Sequence, residues 1–156
     1  AMVADMAGKK VNIIKIRVDD QLGTATKMSP EIYQAVIDEA HKRGLPVAAH
    51  IFYLDDAKGL LRAGVDFIAH SVRDKDVDDE FIQLMKKRNV PYCPTLTREV
   101  STFAYASTPK WFSDPFFTRE ADPAVIAQLQ EPKRQQAMAQ SASANAQSGS
   151  PLSRAT

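Results

Sequence analysis

"GLPVAAHI" (residues 44–51) and "GVDFIAHS" (64–71) align without a gap, and "NVPYCPTL" (89–96) follows in the same frame. Each starts at a residue that ends a helix, Gly44, Gly64 or Asn89, and runs through apolar positions to a polar one: His50, His70 and Thr95. Short apolar runs bounded by turn signals read as strands, and strands alternating with helical patterns read as βαβ units on a parallel sheet. This weak internal repeat decides the fold class, which is α/β with about four parallel βα units.

The pattern extends upstream. "VNIIKIRV" (11–18) is rich in Ile and Val and reads as the first strand, preceded by the end of a helix over residues 1–9. "KVNIIKI" from Lys10 joins the repeat one residue short, which brings Lys15 to the corresponding strand end. Between the first two strands, "SPEIYQAVIDEAHKRG" carries Ser29 as N-cap, Pro30 at the first helical position and Gly44 past the close, with Ile32, Ala35, Val36 and Ala40 as its apolar stripe. A short helix capped by Asp55 or Asp56 and closed by Gly64 follows the second strand. After the third, Asp76 is expected to cap "VDDEFIQLMKKR", with acids at its start, bases at its end and Asn89 stopping it. "VPYCPTL" (90–96) reads as the fourth strand.

Beyond residue 96 the pattern loosens. "TREVSTFAYASTPKWFSDPFFTRE" gathers Phe103, Tyr105, Trp111, Phe112, Phe116 and Phe117 with two prolines. These aromatics either pack on the βα units or cover a substrate. "DPAVIAQLQ" (122–130) reads as a short helix capped by Asp122, with Pro123 at its first position. From Pro132 the chain turns Ala-, Ser- and Gln-rich, a helical start followed by a disordered end. Three segments are thus expected: βα units over 1–96, a loop and helix over 97–131, and a polar tail over 132–156.

Composition excludes several function classes. The 156 residues are 44% hydrophobic and 25% charged, enough for one ordinary globular domain. Twenty basic residues against nineteen acidic ones give a formal charge of +1 with no basic stripe, so nothing favours nucleic acid or an anionic membrane as partner. A small-molecule substrate is expected instead. Cys93 is the only cysteine, which excludes an internal disulfide and a Cys-rich zinc module and leaves the compartment undetermined. No stretch approaches the roughly 20 apolar residues that span a bilayer, and "AMVADMAGKK" has no apolar signal-peptide core.

The strand ends carry the candidate chemistry. The carboxyl edge of a parallel sheet is where both doubly wound sheets and barrels place their sites. Neighbouring strands lie about 4.8 Å apart, so His50 and His70 in register could converge on one ion at roughly 2.1 Å from each nitrogen. Lys15 is anomalous inside "IIKI" if that strand is buried on both faces, because a bare ammonium there is costly. It could snorkel to the rim, be neutralised, or be converted to a carbamate whose two oxygens bridge metal ions.

Other residues read more plainly. His41 sits near the negative end of its helix as a surface residue. The acidic groups "VDD" (18–20), "DKD" (74–76) and "DDE" (78–80) lack EF-hand spacing and read as solvated loops and caps. Cys93 reads as a small buried filler. Tyr53, three residues past His50, and Arg98, three past Thr95, stand at the expected rim as candidates for polarising a substrate carbonyl or holding a carboxylate.

Lys in "IIKIRVDD", His in "VAAHI" and His in "FIAHS", in that order, together with the phrase "EAHKRGLPVAAH", resemble the metal-dependent amidohydrolase superfamily, in particular its imidazolonepropionase-like branch. The likeness runs from about residue 3 to about residue 120. It implies a (β/α)8 TIM barrel with one or two divalent metals, usually zinc, that hydrolyses amide or related C–N bonds. By position, Lys15 would be the carboxylated lysine of strand four, and His50 and His70 the metal ligands of strands five and six. "VPYCPTL" would then be strand seven.

The family pattern also requires an H-x-H pair on strand one and a catalytic Asp on strand eight, and this sequence shows neither. The resemblance therefore implies strands four to seven of a partial barrel, a fragment with impaired or no activity alone. Open edges at "VNIIKIRV" and "VPYCPTL" are expected to drive self-association. The alternative is a non-catalytic βα fragment or assembly module without a metal site. A complete flavodoxin-like domain is disfavoured, because "VDDQLGTATK" places two acids where a phosphate loop needs backbone amides.

Overall fold

The computed structural model describes residues 1–147, with all side chains among them except those of residues 99, 102, 103 and 141–147. The last residues of the polar tail, 148–156, lie outside that range. Two compact units divide at Thr95 and Leu96.

In the first unit four strands form one parallel sheet: β1 (Ile14–Val18), β2 (Val47–Ile51), β3 (Phe67–Ala69) and β4 (Tyr92–Cys93). Their spatial order is β1-β2-β3-β4, the order of the chain, with no reversal of the kind that defines a doubly wound sheet. Helices α1 (Met2–Gly8), α2 (Pro30–His41), α3 (Leu54–Ala63) and α4 (Asp79–Arg88) pack in succession, each against the next. They cover the face made by Ile14, Ile16, Val18, Val47, Ala49, Ile51 and Ile68. Alternation sends Lys15 and Arg17 to the opposite face, where both are exposed.

Helix punctuation explains the element ends, with shifts from the sequence reading. Asp78, rather than Asp76, caps α4, its side chain accepting from the Phe81 amide. Tyr53 is the N-cap residue of α3, and Asp55 and Asp56 fall in its first turn, where the helix dipole favours acids. Asp74, from the loop after β3, accepts the Leu54 amide at 2.8 Å. Gly64 closes α3 at φ 102°, a left-handed conformation that a side chain resists.

The α2 stripe is Tyr33, Ile37 and Ala40, with Val36 partly buried against the core and Ala35 exposed. Ile32 is half exposed, because the buried positions 33, 37 and 40 follow helical spacing and leave position 32 off that stripe. The fourth strand is two residues long instead of seven: Pro91 and Pro94 flank it without amide donors, and a helix already begins at Leu96.

The second unit is helical. It holds α5 (Leu96–Ala104), a 3-10 turn (Lys110–Ser113), α6 (Pro115–Glu120), α7 (Pro123–Leu129) and α8 (Pro132–Gln147). Asp122 caps α7 as its sequence indicates, accepting from the Ala124 amide. Tyr105, Trp111, Phe112 and Phe117 pack on one another, with Trp111 and Phe112 ring centroids 4.9 Å apart and Phe112 stacked on Phe117 at 5.4 Å. Phe116 is exposed, and the Phe103 side chain lies outside the described residues. Among the described residues no helix is long and apolar enough to cross a membrane.

Candidate functional site

The carboxyl edge of the sheet brings His50 and His70 together, with ring centroids 4.4 Å apart and planes at 60°. Backbone register alone does not do this. His50, the fourth residue of β2, is opposite Ala69, so His70 is one residue further along its strand than the gapless repeat implies. Strict alternation would then put His70 on the helix-covered face. Instead His70 takes φ 73°, leaving the strand in a left-handed conformation that costs of order 1 kcal/mol for a non-glycine residue and turns its ring toward His50. The third repeat does the same: Thr95 has φ 52°, and its Oγ1 meets His70 Nδ1 at 2.9 Å. The His70 amide continues the ladder by donating to the Cys93 carbonyl at 2.8 Å.

Lys15 shares the face of His50 but not its level. Arg17 is the residue opposite His50, and Lys15 pairs with Ala48, one pleat or about 6.6 Å nearer the amino edge. Its side chain is exposed, so β1 is not buried on both faces and the desolvation cost expected from the sequence does not arise. Cys93 is exposed too, at the level of Ala69 and His50, rather than a buried filler.

The sequence reading missed the residue that contacts His50. Asp19, a solvated loop residue by its sequence context, is buried, and its Oδ2 lies 2.5 Å from His50 Nε2. The same oxygen accepts from Arg17 Nε at 3.1 Å, while Oδ1 accepts from Arg17 Nη2 at 3.3 Å and from the Gln21 amide at 2.7 Å. The signal was available: the alternation that puts Lys15 and Arg17 on one face continues to Asp19. Burial by itself would raise the Asp19 carboxyl, but the Arg17 guanidinium, the Gln21 amide and the His50 ring outweigh it and hold the group below the usual carboxylate range. His50 shifts down as well, through burial first and the neighbouring His70 second, against the pull of Asp19. A neutral imidazole is the form that binds metal.

Of the two rim candidates, Tyr53 lies beside this edge. Its hydroxyl donates to Asp20 Oδ1 at 2.6 Å, and the Lys27 ammonium sits 4.0 Å from its ring centroid. The hydrogen bond to Asp20, and then burial, push the phenol up to about 12. Arg98 belongs to α5 in the second unit, where it is exposed and its carbonyl accepts from Ser101 Oγ.

The donor set suits a divalent ion in kind, since paired imidazoles are nitrogen ligands of zinc. Among the described residues, however, no three His, Cys, Asp or Glu side chains converge as an ion site. Two imidazoles are what this stretch can offer directly, with Lys15 one pleat away on the same face.

No protein-family profile matches the chain. Over 100 residues it is 34% identical to uncharacterized protein Rv2915c of Mycobacterium tuberculosis and equally to uncharacterized protein Mb2939c of Mycobacterium bovis. The match takes in 62% of this chain and 26% of each relative, so the chain spans about a quarter of their length. Among solved structures, a Xaa-Pro dipeptidase with methionine bound in its active site superposes with a TM-score of 0.53 at 21% identity, over 92% of this chain and 33% of that one. A prolidase complexed with N-methylphosphonate-L-proline gives 0.51 at 22%, over 95% and 34%. At this identity the likeness is one of fold.

Proposed function

We propose that this chain forms a metal-binding part of a metal-dependent hydrolase of amide or related C–N bonds, built as staves of a (β/α)8 barrel in the amidohydrolase superfamily. The observation that carries the reading is the His50–His70 pair, two imidazoles 4.4 Å apart at the carboxyl edge of a parallel sheet. A sheet whose strand order follows the chain, with its helices packed in succession, supports a barrel wall over a doubly wound sheet. The dipeptidase and prolidase likeness adds the peptide bond before proline as a candidate substrate, alongside the imidazolonepropionase-like branch that "EAHKRGLPVAAH" resembles.

In this reading His50 and His70 hold the ion, Lys15 joins them as a carbamate, and Tyr53 orients the substrate from the rim. Bound there, a divalent metal such as zinc supplies Lewis acidity toward a carbonyl oxygen and toward water. The chain spans about a third of the prolidases it superposes on, and the activity proposed is that of a whole barrel. For the 156 residues alone we expect metal binding without efficient turnover.

Elemental analysis of purified chain tests the reading. Zinc should accompany the wild type and be lost from a His50→Ala, His70→Ala double variant; equal, negligible metal in both would overturn it. The absence of a three-residue His, Cys, Asp and Glu cluster among the described residues favours the second reading, a non-catalytic βα assembly module, and the same measurement separates the two. Both readings include self-association through the outer edges of β1 and β4, the end strands of the sheet. A monodisperse monomer in light scattering would count against that part.

A further inference from the structure

We propose that Asp19 is a positioning residue for His50: its carboxylate accepts a hydrogen bond from Nε2–H, which fixes the ring in that tautomer and leaves the lone pair of Nδ1 free for a metal. The inference rests on the metal-site reading above, and its own support is the setting of Asp19. A side chain 3% exposed, 2.5 Å from one ring nitrogen, is too close and too enclosed to be an incidental surface contact.

Every other feature of Asp19 keeps its charge and orientation fixed. Arg17 grips both oxygens from the same strand, one pleat row away, and the Gln21 amide closes on Oδ1 from the turn that follows. Arg17 is itself 53% exposed, so it can neutralise the carboxylate without being buried as a bare cation. Oδ1 is thus committed to Arg17 and Gln21, and Oδ2 is shared between Arg17 Nε and the imidazole. A carboxylate bonded to the second ring nitrogen is the means by which an outer partner would set the tautomer of a ligating histidine and raise its basicity. Val18, between Arg17 and Asp19, is fully buried in the core, which anchors the strand end that carries the pair.

The test has two readouts on the full chain. Nitrogen-15 NMR of the metal-free protein, with the His50 signals assigned from a His50→Gln variant, should show one tautomer protonated at Nε2 in the wild type and a mixture in Asp19→Ala and Asp19→Asn. Zinc titration by calorimetry should show affinity reduced about 10–100-fold in both variants. Asp66→Asn serves as control, since it alters the other histidine–aspartate pair and should leave zinc affinity unchanged.

If Asp19→Ala fails to fold by circular dichroism, Asp19→Asn decides. A single Nε2-protonated tautomer and unchanged zinc affinity in Asp19→Asn would overturn the inference. A wild type that binds no zinc would sink the metal site itself, and the tautomer measurement then judges Asp19 separately: a mixed ring in the wild type overturns its role.

Discussion

Two histidine–aspartate pairs stand at opposite edges of the same sheet, and their contrast separates chemistry from architecture. At the amino edge His41 Nε2 meets Asp66 Oδ2 at 2.7 Å; at the carboxyl edge His50 Nε2 meets Asp19 Oδ2 at 2.5 Å. The contacts are nearly equal, but the settings are not. His41 and Asp66 are 39% and 33% exposed, and Asp66 also accepts the amide of Val47, the first residue of β2, so that pair pins a strand start to the end of α2. Asp19 is 3% exposed and its histidine lies beside a second imidazole. A pairing distance says little about role; burial and the third partner decide it.

The comparison breaks if the two edges respond alike to substitution. The largest effect is expected at the carboxyl edge. His50→Ala should lower zinc affinity more than about 100-fold, beyond the loss typical of an outer partner, with the cooperative fold retained. Zinc titration paired with urea unfolding checks both halves, and a variant that loses stability but keeps zinc would reverse the assignment of the edges.

Asp66→Ala should do the opposite. It leaves the Val47 amide without its acceptor, which costs about 1–3 kcal/mol in urea unfolding, with zinc affinity intact. A further substitution sharpens the structural side. Gly64→Ala, at φ 102°, should cost about 1–2 kcal/mol. An added Cβ there would also come within 3.3 Å of Arg88 Nη1, and zinc should again be indifferent.

How much of this was legible in the sequence follows from which physical signals are local. The order of strands and helices was legible because hydrophobic periodicity and helix-ending Gly44, Gly64 and Asn89 are local signals, and all four strands appear where the apolar runs are. Strand length was not: Pro91 and Pro94 cut β4 to two residues, a backbone effect that an apolar count overlooks. The proximity of His50 and His70 was anticipated, but for an incomplete reason. A gapless repeat treats them as equivalent, whereas the rings meet because His70 departs from the strand at φ 73°. Asp19 escapes a sequence reading because an acid just after a strand reads as solvated, although alternation from Lys15 through Arg17 places it on the site face. Side-chain partners across the sheet depend on tertiary register, which no single stretch contains.

The adjacent carboxylate sharpens the contrast by the smallest of the expected effects. Asp20 follows Asp19 directly, yet it accepts the Tyr53 hydroxyl at 2.6 Å instead of facing His50. A phenol that donates to a carboxylate is stabilised in its neutral form, which is why Tyr53 is raised from 10.0 to about 12. Because the folded value lies above the unfolded one, the stability from this bond is fully present below pH 10 and is lost as pH rises through about 12. Ultraviolet phenolate absorbance, with Tyr53→Phe as reference, should show Tyr53 ionising late in the wild type and nearer its ordinary value in Asp20→Asn. If Tyr53 instead titrates at its ordinary value in the wild type, Asp20 does not hold the rim. The carboxyl-edge loop would then be no better ordered by its acids than the amino edge, and the distinction between the two histidine–aspartate pairs would rest on Asp19 alone.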